Sequence, residues 1–173
     1  TYCLSVQEAL LFQNNMFTGG LPASLSQLTK MYYVNVARNQ LTGPVPAGLY
    51  HLTRMVNFHL NDNQFSGTVS SGIGNFSELV VLDLGDNKFS RSIPSVVGEL
   101  PRLQYLGLQA NRLTGTMPVL RNHELQMLFV QGNRLSGDMR EVLWSPRDIG
   151  LAHVDLSNNL FSGDVSEECK QRR

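Results

Sequence analysis

The sequence predicts a solenoid of stacked, near-identical rungs, and three observations predict it. An asparagine recurs at Asn15, Asn39, Asn63, Asn87, Asn111, Asn133 and Asn159, with spacings of 24, 24, 24, 24, 22 and 26 residues. Upstream of each marker, apolar residues fall at offsets of eight, five and three, as in Met31-Val34-Val36-Asn39 and Leu79-Leu82-Leu84-Asn87. Downstream, a short stretch recurs: "FTGGLP" at Phe17–Pro22, "LTGPVP" at Leu41–Pro46, "LTGTMP" at Leu113–Pro118. Self-similarity at a fixed period of this size is the mark of a repeat architecture.

Each part of the rung has a physical reading. The last two apolar positions before the marker alternate with period two, which predicts a short strand with one buried and one outward face. The marker asparagines are expected to enter the core, where an amide that both donates and accepts can satisfy loop backbone groups turned inward. Seven of them in register form a ladder. Gly at 19, 43, 67, 115, 137 and 163 admits backbone angles closed to other residues, and Pro at 22, 46, 94 and 118 lacks an N–H. Together they predict a turn into a short edge segment. A single rung has too little apolar surface to fold alone, so only stacking closes a continuous core.

Several rungs depart from the pattern. Arg91 stands for the turn glycine, Ser70, Arg140 and Ser166 stand for the proline, and Gln7 stands where a buried Leu is expected. The fifth rung is two residues short around Val119–His123, and the sixth two residues long around Trp144–Gly150. Such irregularities are expected on the convex or lateral surface, where insertions are tolerated.

Bulk composition narrows the class. The 173 residues are 42% hydrophobic with 14 basic and 14 acidic side chains, which fits one soluble domain spanning 1–173. A nucleic-acid binder carries a basic stripe, and the cluster here, Lys170, Arg172 and Arg173, reads as a solvated end. No run approaches the roughly eighteen apolar residues of a membrane span, and no basic-then-apolar signal peptide opens the chain. Such segments are expected to have been removed or to lie outside this sequence.

With L-x-x-L-x-L-x-x-N-x-L-[ST]-G-x-[IVL]-P in seven in-phase copies from about Leu4 to Cys169, the chain resembles the leucine-rich repeat family. The class is the 24-residue one typical of plant receptor ectodomains and polygalacturonase-inhibiting proteins. The resemblance implies an α/β solenoid, mostly β with short helical or 3-10 turns. It implies a curved right-handed superhelix of about seven repeats, a parallel concave sheet and a second short strand from the "LTGxIP" part. Plant members usually cap each end with paired cysteines, whereas this chain has only Cys3 and Cys169. Seven strands about 4.8 Å apart separate the ends by roughly 29 Å, and a disulfide needs α-carbons within about 7 Å, so the two are not expected to pair. Cys169 falls in phase at a Leu position and reads as a small buried hydrophobe; Cys3 is at a variable position and could be half of a lost cap pair. The chain is therefore expected to be a piece of a longer solenoid, or one whose ends are covered by something else.

Outward strand positions of successive rungs should form two columns. One reads Leu11, Asn35, His59, Asp83, Gly107, Phe129, Asp155, and the other Ala9, Tyr33, Asn57, Val81, Tyr105, Met127, His153. The candidate partner-binding residues are Tyr33, Asn35, Asn57, His59, Val81, Asp83, Tyr105, Met127 and Phe129. They divide into an exposed apolar-aromatic patch (Val81, Tyr105, Met127, Phe129) and a polar, acidic middle (Asn57, His59, Asp83, with Asp62 and Asp86). Exposed aromatics among polar groups are what protein-protein hot spots are made of; the bland alternative is rings that merely pack across strands. His59 and Asp83 are column neighbours, so a hydrogen bond or shared metal is conceivable, but an open sheet offers no water-excluding site for catalysis. No cofactor and no metal are expected. His51 and His123 read as solvated, and His153 beside Asp155 as either a pH-sensitive contact or nothing. Trp144 either anchors a partner or covers the core edge, and coverage is favoured because an inserted loop must pack on something. Asn75, in Asn75-Phe76-Ser77, is a glycosylation acceptor of the kind that fourteen asparagines yield roughly once by chance.

The function expected is a non-catalytic leucine-rich repeat scaffold that binds a protein or peptide, outside the cell or at its surface, receptor-ectodomain-like or secreted and inhibitor-like. Two alternatives stand beside it. One is an architectural subunit docked permanently in a larger assembly; the other is the ectodomain of a receptor whose kinase lies outside this chain.

Overall fold

The computed structural model describes residues 8–138 and 150–163. Cys3, Gln7, Arg140, Trp144, Ser166 and Cys169, and the expectations resting on them, lie outside the described residues. Each rung contributes one strand to each of two parallel seven-stranded sheets. The first sheet holds β1 (Ala9–Leu11), β3 (Tyr33–Asn35), β5 (Asn57–His59), β7 (Val81–Asp83), β9 (Tyr105–Gly107), β11 (Met127–Phe129) and β13 (His153–Asp155). The second holds β2 (Thr18–Gly19), β4 (Gln40–Gly43), β6 (Gln64–Thr68), β8 (Lys88–Arg91), β10 (Arg112–Thr116), β12 (Arg134–Asp138) and β14 (Leu160–Ser162). Four 3-10 segments, Ala23–Gln27, Ala47–His51, Ser71–Asn75 and Ser95–Glu99, follow β2, β4, β6 and β8. The second short strand that the resemblance implied runs up to the glycine position, ending within one residue of it, and is paired rather than a free edge.

The core follows the apolar offsets. Met31, Val34 and Val36 are at most 1% exposed, and their equivalents in the next four rungs at most 2%. Four phenylalanines fill the wider space between the sheets and the 3-10 segments. Phe65 stacks on Phe89 of the next rung with centroids 6.4 Å apart, and Phe58 meets Phe76 edge-on at 5.8 Å. Burying side chains of this size stabilises by about 1.5–3 kcal/mol each, and the Phe65–Phe89 stack exists only because a neighbouring rung supplies its partner.

The asparagines tie rung to rung through the backbone, not through one another. The Nδ2 of Asn87 donates to the carbonyls of Leu84 and Gly85 in its own rung at 3.2 and 2.9 Å, and to Leu60 in the rung before at 3.0 Å. Its Oδ1 accepts the N–H of Phe65, also in the rung before, at 2.8 Å. Asn39, Asn63, Asn111, Asn133 and Asn159 repeat this geometry, reaching back to Phe12, Val36, Leu84, Leu108 and Val130. Asn15, on the first described rung, is exposed, and its side-chain amide bonds only to the Phe12 and Gln13 carbonyls of its own rung.

Two left-handed corners per rung bring those backbone groups inward. The glycine corner was expected, and Gly19, Gly43 and Gly115 each have φ of 80°. Arg91 takes the same corner at φ 69° despite its side chain, a conformation that disfavours non-glycine residues. The other corner was not foreseen: the residue just before each marker, from Asn14 and Arg38 to Ala110 and Asn158, is left-handed with φ between 49° and 59°, apart from Gly132 at 69°. From it the N–H bonds upward, Arg38 to the Asn61 carbonyl at 3.0 Å and Asp86 to that of Gln109 at 2.8 Å.

The departures of the third and fifth rungs are accommodated at the 3-10 side. Pro22, Pro46 and Pro94 stand at the N-cap of their 3-10 segments in extended conformation. Ser70 stands there in the third rung, and its hydroxyl accepts the Gly72 N–H at 3.1 Å, a capping bond proline cannot make. The shortened fifth rung forms no 3-10 segment. Buried Asn122 replaces it, donating to the Leu103 carbonyl and accepting the Glu124 N–H at 2.8 Å. The shortcut runs hard against Gly98, where a Cβ would lie 2.2 Å from the Val119 carbonyl oxygen; only glycine fits there.

Asn87→Leu keeps the volume and deletes these bonds, leaving the Phe65 N–H and three carbonyls short of a partner. The expected cost is about 1–3 kcal/mol, read as a lowered thermal midpoint. An unchanged midpoint contradicts the bridging role.

Candidate functional site

Alternation along the strands sets the outward face of the first sheet. Val34, Phe58, Leu82, Leu106 and Leu128 point into the core, while the residues on either side point out. The register aligns Ala9, Tyr33, Asn57, Val81, Tyr105, Met127 and His153 in one column and Leu11 through Asp155 in the other. The nine candidate residues therefore share one face, over which no other described element packs. Tyr105, Met127, Phe129 and Val81 are half-buried rather than fully exposed, because strands about 4.8 Å apart let neighbouring side chains cover one another.

Two ring pairs stand on this face. Tyr105 and Phe129 lie 5.6 Å apart between centroids, and Tyr33 and His59 lie 5.8 Å apart. Each joins a residue of the first column to one of the second on the next rung. Between the pairs is Gly107, which is buried. A Cβ at Gly107 would lie 2.6 Å from Asp83 Oδ1 and 2.8 Å from Tyr105 Cε1, so these two side chains converge over it.

Burial dominates the electrostatics. It pushes the Asp83 carboxyl up to about 6, against the lowering effect of the Gly85 N–H and with a further push from Asp62 and Asp86. Burial, then the charges of Asp83 and Asp86, raises the Tyr105 hydroxyl to about 12. His59 is lowered by burial and is neutral at pH 7. Asp62 pairs with Arg38 at 3.7 Å, an exposed pair of small energetic weight. Gln13, Asn35, Arg38, His59, Asn61 and Asp83 are among the residues lining an open depression of about 220 Å³.

The polar column also has a local role that sequence reasoning missed. Asn35, Asp83 and Asp155 each accept, through Oδ1, the N–H two residues on, from Ala37, Gly85 and Ser157 at 3.1, 3.1 and 3.0 Å. These Asx turns steer the chain off the strand; Asn or Asp at the equivalent position of the second, fourth and seventh rungs was the available signal. No hydrogen bond joins His59 to Asp83, whose recorded partner is the Gly85 N–H. Among the described residues no three His, Cys, Asp or Glu side chains stand close enough to share a metal ion. His51, His123 and His153 are exposed. Asn75 is exposed at the end of its 3-10 segment, with its amide on the Tyr50 carbonyl at 3.2 Å.

Residues 53–113 match the family model described as leucine rich repeat. No curated protein sequence matches the chain. Three solved structures are similar over most of it. The Arabidopsis receptor kinase HAESA, in complex with the peptide hormone IDA and a co-receptor, is 29% identical with a TM-score of 0.81, over 91% of this chain and 26% of that one. A TDR receptor is 30% identical with a TM-score of 0.83, over 91% and 27%. The PEPR1–AtPEP1 structure is 31% identical with a TM-score of 0.78, over 86% and 21%. The chain is a solenoid of stacked rungs whose residues 53–113 match the leucine-rich repeat model, and it is similar to these receptor structures. It spans about a quarter of the length of these three matched chains.

Because the Asp83 pKa is raised above its ordinary value of 3.8 to about 6, the folded state binds the proton more tightly than the unfolded one. Its contribution to stability is full below pH 4 and is lost as pH rises through 6. Asp83→Asn should therefore stabilise the fold at pH 8, by about 1–2 kcal/mol after allowance for solvent screening, and give no gain at pH 4. Urea midpoints at the two pH values check this; an equal effect at both contradicts it.

Proposed function

We propose that the chain is a non-catalytic recognition scaffold that binds a protein or peptide ligand on its concave sheet. The observation that carries this reading is the outward face itself: half-buried rings beside a carboxylate, with no described element over them. Aromatic groups in partly desolvated surroundings are the usual anchors of binding surfaces. The similarity to HAESA, whose ectodomain is seen with a peptide hormone ligand, supports a peptide as the ligand class. On the same ground the chain is read as part of a receptor ectodomain, outside the cell or at its surface, with any kinase lying outside this sequence. No helix among the described residues is long and apolar enough to cross a membrane.

Partners captured by affinity pull-down and identified by mass spectrometry supply the ligand for the test. Tyr105→Ala combined with Phe129→Ala should weaken that ligand at least tenfold, about 1.4 kcal/mol, with little change in thermal midpoint. Undiminished affinity would move the site off this face. Under the same reading Asn75 carries a glycan. Expression in a eukaryotic secretory host should yield a mass shift that Asn75→Gln abolishes, and a chain of unmodified mass would refute the assignment.

A further inference from the structure

The two ring pairs are placed so that they measure a ligand. Tyr33–His59 is centred between the second and third rungs, and Tyr105–Phe129 between the fifth and sixth. Their centres are three rungs apart, roughly 14 Å at about 4.8 Å per rung. An extended peptide advances about 3.3–3.4 Å per residue with side chains alternating between two faces. Four residues therefore cover roughly 13 Å and return a side chain to the same face. The residue midway, also on that face, arrives at the fourth rung, where β7 presents Asp83. Asp62 and Asp86 lie close enough for their charges to act on it, and among the described residues these three carboxylates form one salt bridge, that of Asp62 with Arg38.

Resting on the peptide-binding reading above, we infer that this face selects an extended peptide laid across the strands, bearing apolar or aromatic side chains at positions i and i+4 and a lysine or arginine at i+2. The outer side chains pack on the two ring pairs. The central cation meets Asp83, whose carboxylate leans over Gly107 of the next rung beside the Tyr105 ring. Charge complementarity chooses the occupant: an acidic residue at i+2 is repelled by the carboxylates, with nothing at the two ends to offset it, and a neutral one gains nothing from them. His59 is neutral at pH 7, so it does not compete for the cation's place.

The test is a selection of random twelve-residue peptides displayed on phage against the immobilised 173-residue chain, with the winners synthesised and titrated. Winners are expected to share two apolar residues four apart with Lys or Arg midway. Moving the second apolar residue to i+3 or i+5, or replacing the cation by Glu, should weaken binding at least tenfold. Asp83→Asn should erase the preference for the cation, and Phe129→Ser the preference for spacing, in variants whose circular dichroism matches the parent. Winners that lose affinity with Phe129→Ser but show no such spacing overturn this inference and leave the peptide-binding reading standing. Winners indifferent to both substitutions, or no winners at all, overturn both.

Discussion

Everything in this molecule depends on how a polar backbone is brought into a shared interior. Each rung turns sharply out of its strand through a left-handed corner, and that turn directs N–H and carbonyl groups inward where water is excluded. One asparagine amide per rung meets them, giving its N–H groups to two successive rungs and accepting an N–H from the earlier one. The side chain joins rungs as well as satisfying them, so a rung is incomplete without its neighbour in hydrogen bonding as much as in apolar burial. Asn15 illustrates the point from the other side: with no earlier described rung to reach, its side chain is exposed and bonds only within its own.

This division of labour frees the surface. Since the core and the asparagine spine carry the fold, the outward strand positions vary without cost to stacking, and seven rungs display them in two straight columns. Their variation is not fully free, however. Asn35, Asp83 and Asp155 close local turns, and Gly107 admits the side chains that lean over it. Asp83 therefore has two roles that pull in opposite directions: its bond to Gly85 favours the ionised form, and its half-buried position beside two other carboxylates disfavours it. A group held in that balance is suited to meeting a cation from outside.

Much of the architecture was legible because a 24-residue period acts over and over on the same positions. The spacing of the asparagines foretold which residues pair across strands, down to the two-residue shift that sets Tyr105 against Met127. The left-handed corner before each marker was signalled by Asn14, Asp62, Asp86, Gly132 and Asn158, residue types that favour it, but not by Arg38 and Ala110, which take it only when the stacked rungs hold the chain there. Asn122 was hidden for a related reason: the missing two residues of the fifth rung were visible, but that a buried amide replaces the 3-10 turn depends on a carbonyl 19 residues away. On the outward face, sequence named the residues but not their burial. The rings of Tyr105 and Phe129 shield each other across rungs, and the Asp83 environment is made by side chains from neighbouring rungs.

The central claim is that the asparagine oxygens hold buried backbone N–H groups between rungs, and native-state hydrogen exchange measures it most directly. The amides of Phe65 and Phe89, which donate to Asn87 and Asn111, lie just past the exposed turn residues. They should nonetheless exchange as slowly as the strand amides of Leu82 and Leu106, opening only when the stacked rungs come apart. Exchange of Phe65 and Phe89 at the rate of exposed turn amides would contradict the account.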